Sequence, residues 1–122
     1  MSMITEARQL IIQHLLQENY LNESRFAQSF ARGKFRLKKW GRRRIIRELK
    51  LRDISDYNIK LALKEIPETD YQDTFDQLAD KKWQELSRET NLPKRKKKLI
   101  TYLEYRGWEA NLIWDKLREL SP

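Results

Sequence analysis

The 122 residues include 26 Lys and Arg against 18 Asp and Glu, a net charge of +8, and the charged share (36%) nearly equals the hydrophobic share (39%). The cationic excess points to anionic partners, and the thin apolar fraction argues against one round core and for units that pack on their neighbours. Cysteine is absent, which excludes disulfides and thiolate metal sites, and no apolar run approaches the roughly 18 residues of a membrane span.

Residues 4–16 contain Glu6, Arg8, Gln9, Gln13 and His14, which interrupt any secretory apolar core, so a soluble, cytoplasmic protein is expected. Thr5 to Gln17 places Ala7, Leu10, Ile11 and Leu15 at helical spacing. Asn19 to Leu21 breaks that pattern. Asn22 is then expected to cap a second helix, with Leu21 and Phe26 at hydrophobic-staple spacing and with Phe26, Ala27, Phe30 and Ala31 on one face. Gly33 weakens its end, and a turn is expected by Trp40-Gly41.

A third helix runs from about Arg42 to Leu51, with Ile45, Ile46 and Leu49 inward. Ser55 caps the fourth, with Ile54 and Ile59 as a second staple, and Pro67 stops it. The fifth starts at Thr69 or Asp70 and turns Tyr71, Phe75, Leu78, Trp83 and Leu86 inward. Pro93 suits the first turn of the sixth, and Gly107 suits a left-handed end. The seventh covers Glu109 to Leu120, with Leu112, Ile113, Leu117 and Leu120 inward. No segment alternates as a strand does.

At an offset of 54 residues the chain matches itself. Ile46, Leu49, Arg52, Ile59, Leu63 and Glu65 fall on Ile100, Leu103, Arg106, Ile113, Leu117 and Glu119. The turn Arg52-Asp53-Ile54-Ser55 falls on Arg106-Gly107-Trp108-Glu109. The expected fold is all-α, with tandem three-helix repeats forming an elongated array. The expected units are residues 1–18 (the last helix of an incomplete first repeat), 19–67 and 68–122.

Between Arg32 and Arg52 lie 11 Lys or Arg and one acid. Of these, Arg32, Lys34, Arg36, Lys38, Lys39, Arg42, Arg43 and Arg44 flank Trp40 and are candidates to grip a phosphate backbone. The alternative is a solvated face, and Trp40 reads more readily as core filler between helices. Lys94, Arg95, Lys96, Lys97 and Lys98 form a second cluster. It lies at a helix start, where the dipole disfavours cations. Five phosphate contacts there would give a log–log salt slope near −3.5 on single strands.

Glu65, Glu68, Asp70, Asp73, Asp76 and Asp80 form an acidic stretch. Its spacing matches no metal loop; the plain reading is that Asp70 and Asp73 fit a helix N-terminus, and the alternative is contact with a basic partner surface. His14 has no second ligand beside it. Ser24, Ser29 and Ser55 have no nearby His, and no phosphate-binding glycine loop occurs. No catalytic residue, cofactor, metal or small-molecule substrate is therefore expected.

Tyr20-Leu21-Asn22, Arg25-Phe26-Ala27, Lys38-Lys39-Trp40-Gly41 and Arg44-Ile45-Ile46-Arg47-Glu48-Leu49 resemble the middle repeat of the RecX family of RecA regulators. Leu99-Ile100, Leu103 and Arg106-Gly107-Trp108 resemble that family's last repeat. Members usually carry a complete first triplet, of which only the last helix has a counterpart here. The resemblance implies binding in the groove of the RecA recombinase filament, with inhibition the commonest outcome. The basic clusters would meet either DNA, single- or double-stranded, or an acidic RecA surface. The competing readings are a stand-alone helical DNA-binding module, in which one helix of each triplet enters a groove, and a scaffold whose charge serves only solubility.

Overall fold

In the computed structural model the described residues are 2–122, with side chains described from Thr5 onward. They form six α-helices and no strand: α1 (Ser2–Lys38), α2 (Arg42–Leu51), α3 (Asp56–Leu63), α4 (Glu68–Glu85), α5 (Leu92–Tyr105) and α6 (Ala110–Leu120). One 3-10 turn, Leu86–Arg88, follows α4.

Helix α1 overturns the expected break at Asn19 to Leu21. It runs unbroken for 37 residues, about 55 Å. Asparagine inside a helix costs only some tenths of a kcal/mol, and neither Gly nor Pro stands at the site to add more. Asn22 therefore caps nothing, and the Leu21–Phe26 staple does not form. Phe26 is exposed and sits tilted against Phe30 along the helix. Gly33 is likewise absorbed, and α1 ends at Lys38, after which Lys39 takes the left-handed conformation (φ 58°). The buried face of this half is Ala27, Ala31 and Phe35. Ala7, Leu10, Ile11 and Leu15 do lie on a helix, as their spacing suggests, but they are not buried: residues 5–22 are exposed throughout. Among the described residues no other helix buries them, although Tyr20 stacks on Tyr57 of α3.

The rest of α1 packs mainly on α3. Glu23 pins the two together: its carboxylate accepts from the Ser55 N–H at 3.0 Å and from the Asn58 side-chain amide at 2.7 Å. Ser55 in turn accepts from the Asn58 N–H, so the expected cap is in place. Ile45, Leu49, Ile59, Ala62 and Ile66 continue the core, and Tyr71, Phe75, Ala79, Leu99, Leu103, Trp108, Ile113 and Leu117 complete it.

The internal repeat is visible in the backbone. After α2, the Ile54 N–H bonds the Leu49 carbonyl and the Asp53 N–H bonds that of Lys50, with Asp53 left-handed (φ 58°). After α5, the Trp108 N–H bonds Leu103 and the Gly107 N–H bonds Glu104, with Gly107 left-handed (φ 90°). Both are Schellman ends, closed by an apolar pair between C3 and C″.

Candidate partner and nucleic-acid interface

The first basic cluster surrounds the place where the two repeats join. The N-terminus of α2 docks on the C-terminus of α5. The Gly41 N–H donates to the Arg106 carbonyl at 2.8 Å, and the Arg43 N–H donates to that of Gly107 at 3.0 Å. Between them the Arg42 N–H donates to the Tyr71 hydroxyl at 2.8 Å. Amides that would otherwise be free to hold an anion are thus matched to the free carbonyls of another helix, with opposed dipole ends in contact.

Arg42 is consumed by this joint. Its guanidinium lies 3.8 Å from the Tyr71 ring centroid and pairs with Glu109 at 3.1 Å and with Glu68. The Tyr71 hydroxyl donates to the same Glu109, and its ring lies between Phe35, on which it stacks, and Trp108, which is tilted against it. Burial, reinforced by that hydrogen bond, pushes the Tyr71 phenol far above its ordinary range. For Arg42, burial pulls downward, but the hydrogen bonds with Glu109 and Glu68 outweigh it and raise its pKa.

Arg44 bridges the same joint, with its guanidinium 4.2 Å from the Trp40 ring and 4.8 Å from that of Tyr105, and it donates to the Tyr105 carbonyl. The Lys34 ammonium sits 5.0 Å from the same Trp40 ring. Trp40 itself is half-buried against Phe30 and the core, which agrees with its reading as filler. Arg32 pairs with Glu65 at 3.4 Å. Arg36, Lys38, Lys39 and Arg43 are exposed, and among the described residues they form no salt bridge.

The second cluster divides in the same way. Asn91 caps α5 by accepting from the Lys94 N–H. Arg95 folds onto α4: its guanidinium is 3.8 Å from the Trp83 ring and donates to the Trp83 carbonyl at 2.6 Å. Lys98 pairs with Glu89 at 2.8 Å. Lys94, Lys96 and Lys97 form no salt bridge among the described residues. Lys97, Thr101 and Glu104 share a face of α5 by their spacing. The lysine end of that face is about 10 Å from the Arg43 end, where Arg43, Arg47, Glu104 and Gly107 line an open cleft. Arg47 was absent from the sequence-derived candidates because its neighbours Glu48 and Leu49 mark it as one more residue of an amphipathic helix.

The acidic stretch is largely spent inside the chain. Glu65 holds Arg32, Glu68 holds Arg42, and Asp76 and Asp80 hold Lys116 at 3.5 and 2.8 Å. Lys116 is 5% exposed, with Glu119 as a third partner. Burial lowers its pKa, but Asp80, Asp76 and Glu119 more than offset this, and the ammonium titrates above its ordinary value. No metal-binding cluster exists among the described residues, nor does any helix long and apolar enough to cross a membrane.

The paired Schellman turns and the helix-to-helix joint define a class, the tandem three-helix repeat proteins. Residues 22–63 match the second three-helix domain of RecX and residues 68–117 match its third. The chain therefore belongs to the RecX family. Neither the curated proteins nor the solved structures yielded a match.

Proposed function

We propose that this protein binds the RecA–DNA filament and inhibits recombinase activity by blocking or destabilising filament growth. It would act as a cytoplasmic regulator and not as an enzyme. Family membership supports the choice of partner. The observation that carries the reading is the separation of the basic residues into two populations. Arg42, Arg44 and Arg95 hold repeats and helices together. Arg36, Lys38, Lys39 and Arg43 beside the joint, and Lys94, Lys96 and Lys97 on α5, remain available for an outside anion. Regulation by binding needs only a difference in affinity between filament states.

The filament is the preferred target over bare duplex because the α2 N-terminus is closed by α5. A groove reader of the helix-turn-helix kind needs the start of its recognition helix open to base edges. The test is RecA ATP hydrolysis on single-stranded DNA as the protein is titrated in, beside its binding to the same DNA without RecA. Suppression at concentrations too low to coat bare DNA is expected. Tight, salt-sensitive binding to bare DNA with no suppression would instead assign a stand-alone nucleic-acid module.

A further inference from the structure

An open cavity of about 440 Å³ lies between the end of α4 and the first turns of α5, lined by Lys82, Leu86, Lys94, Lys97, Lys98, Thr101 and Tyr102. Leu86 and Tyr102 are the apolar members of that lining, and four of its seven residues are lysines. Long cationic side chains commonly lay their methylenes along apolar surface while the heads stay wet.

We infer that this cavity is a docking site for an acidic peptide segment, with one apolar side chain entering the cavity and flanking carboxylates meeting the lysine rim. Charge selects the occupant. Four lysines face two nearby carboxylates, Glu85 at 3.8 Å from Lys82 and Glu89 at 2.8 Å from Lys98, so the rim keeps a positive excess. Glu89 shows how the rim receives a carboxylate: its hydrogen bonds with Lys98 and with the Asn91 N–H hold it below the usual carboxylate range. A nucleobase fits less well. The Tyr102 ring already carries two cations, Lys82 at 4.8 Å and Arg106 at 4.5 Å from its centroid, and base recognition on single strands relies on free ring faces. Leu86 and the lysine methylenes offer an aliphatic or aromatic anchor a place to be buried instead.

The site is read on this protein alone, without recombinase, so it stands or falls separately from the filament reading. The probe is a fluorescein-labelled peptide of Asp and Glu with one central Phe, followed by anisotropy. Its Phe-to-Ser counterpart and a labelled oligodeoxythymidylate run alongside. The Phe peptide is expected to bind at least about tenfold more tightly than the Ser peptide, the scale set by burying one ring. Thr101→Trp fills the cavity without altering charge and should abolish that preference. Lys97→Glu should weaken the Phe peptide by a similar factor. Thr101 is exposed, and melting curves confirm that each variant is folded. Equal binding of the two peptides, no effect of Thr101→Trp, or no peptide binding at low salt would each overturn the assignment. So would an oligonucleotide that binds more tightly than the peptide and whose binding alone disappears in Lys97→Glu, which would give the lysines to phosphate.

Discussion

Gly41 and Gly107 meet backbone to backbone, and at this contact the second repeat is joined to the third. A Cβ on Gly41 would stand 2.4 Å from the Gly107 carbonyl oxygen, and one on Gly107 would stand 2.3 Å from the Arg44 Cβ. The two residues are 66 positions apart, yet Gly41 excludes a side chain because of the Gly107 backbone, and Gly107 excludes one because of Arg44, three residues after Gly41. Gly107 carries a second constraint, its left-handed φ of 90°. Asp53 occupies the equivalent turn of the other repeat with φ 58°. It tolerates a side chain there because it is exposed.

The three glycines of the chain therefore make opposite predictions. Gly107→Ala should cost about 3 kcal/mol or more, combining left-handed strain with overpacking. That corresponds to a melting point lower by roughly 10 °C. Gly41→Ala should cost nearly as much by collision alone. Gly33 is helical with nothing within 4 Å of its missing Cβ, so Gly33→Ala should stabilise by about 0.5–1 kcal/mol. Thermal melts of the three variants check the ordering. A harmless Gly107→Ala would mean that the repeats do not join as described.

Arg42 and Arg43 are neighbours in sequence with opposite expected phenotypes. Arg42→Ala removes the partner of Glu68 and Glu109 and the cation over Tyr71, and should cost about 2–4 kcal/mol. Arg43→Ala, at an exposed position, should change stability by no more than about 0.5 kcal/mol while weakening suppression of RecA ATP hydrolysis. Urea titrations separate the two effects from the activity assay. Stability loss in Arg43→Ala, or none in Arg42→Ala, would reverse the division between joint and surface.

That division marks the limit of what the sequence conveys. Apolar spacing placed α2 to α6 correctly, because their faces, such as Ile45 with Leu49 and Ile113 with Leu117, repeat with helical period. The 54-residue offset aligns the two turns that the structure shows to be Schellman ends, since Ile54 and Trp108 are each the apolar residue that closes one. Continuity through residues 19–21 was not legible. The local preference against helix there is small, and it loses to an unbroken hydrogen-bond ladder and to contacts such as Tyr20 stacked on Tyr57. Nor could composition tell paired cations from unpaired ones. Arg42 finds Glu109 across 67 positions, and Lys116 finds Asp80 across 36, distances over which sequence spacing carries no geometric information.

Lys116 makes stability fall at high pH. Its folded pKa is raised above the ordinary 10.5 by its acidic partners. Its contribution is therefore fully present below about pH 10 and is lost as pH rises past the ordinary value and through the raised one. Lys116→Met keeps the buried stem and removes the titration, so its stability should be flatter than wild type in that window. At neutral pH it should stay within about 1 kcal/mol, because Asp76 and Asp80 are partly exposed and can be solvated. Denaturant midpoints at pH values stepped from about 8 to about 11, the range that brackets the ordinary lysine value, measure both. Parallel curves for the two proteins would show that Lys116 does not contribute in this way.

The second basic cluster is best tested through salt. If Lys94, Lys96 and Lys97 meet phosphates, exchanging all three for Gln should make the log–log salt dependence of single-strand binding shallower by about 2, near 0.7 for each phosphate no longer neutralised. Melting should barely change, because among the described residues the three lysines hold no salt bridge. Arg95→Gln should do the reverse: it releases Trp83 and its carbonyl, lowers the melting point, and leaves the slope within about 0.7 of wild type. A triple exchange that leaves the slope unchanged would remove DNA from this face and leave it to protein partners, including the acidic segment proposed for the adjoining cavity.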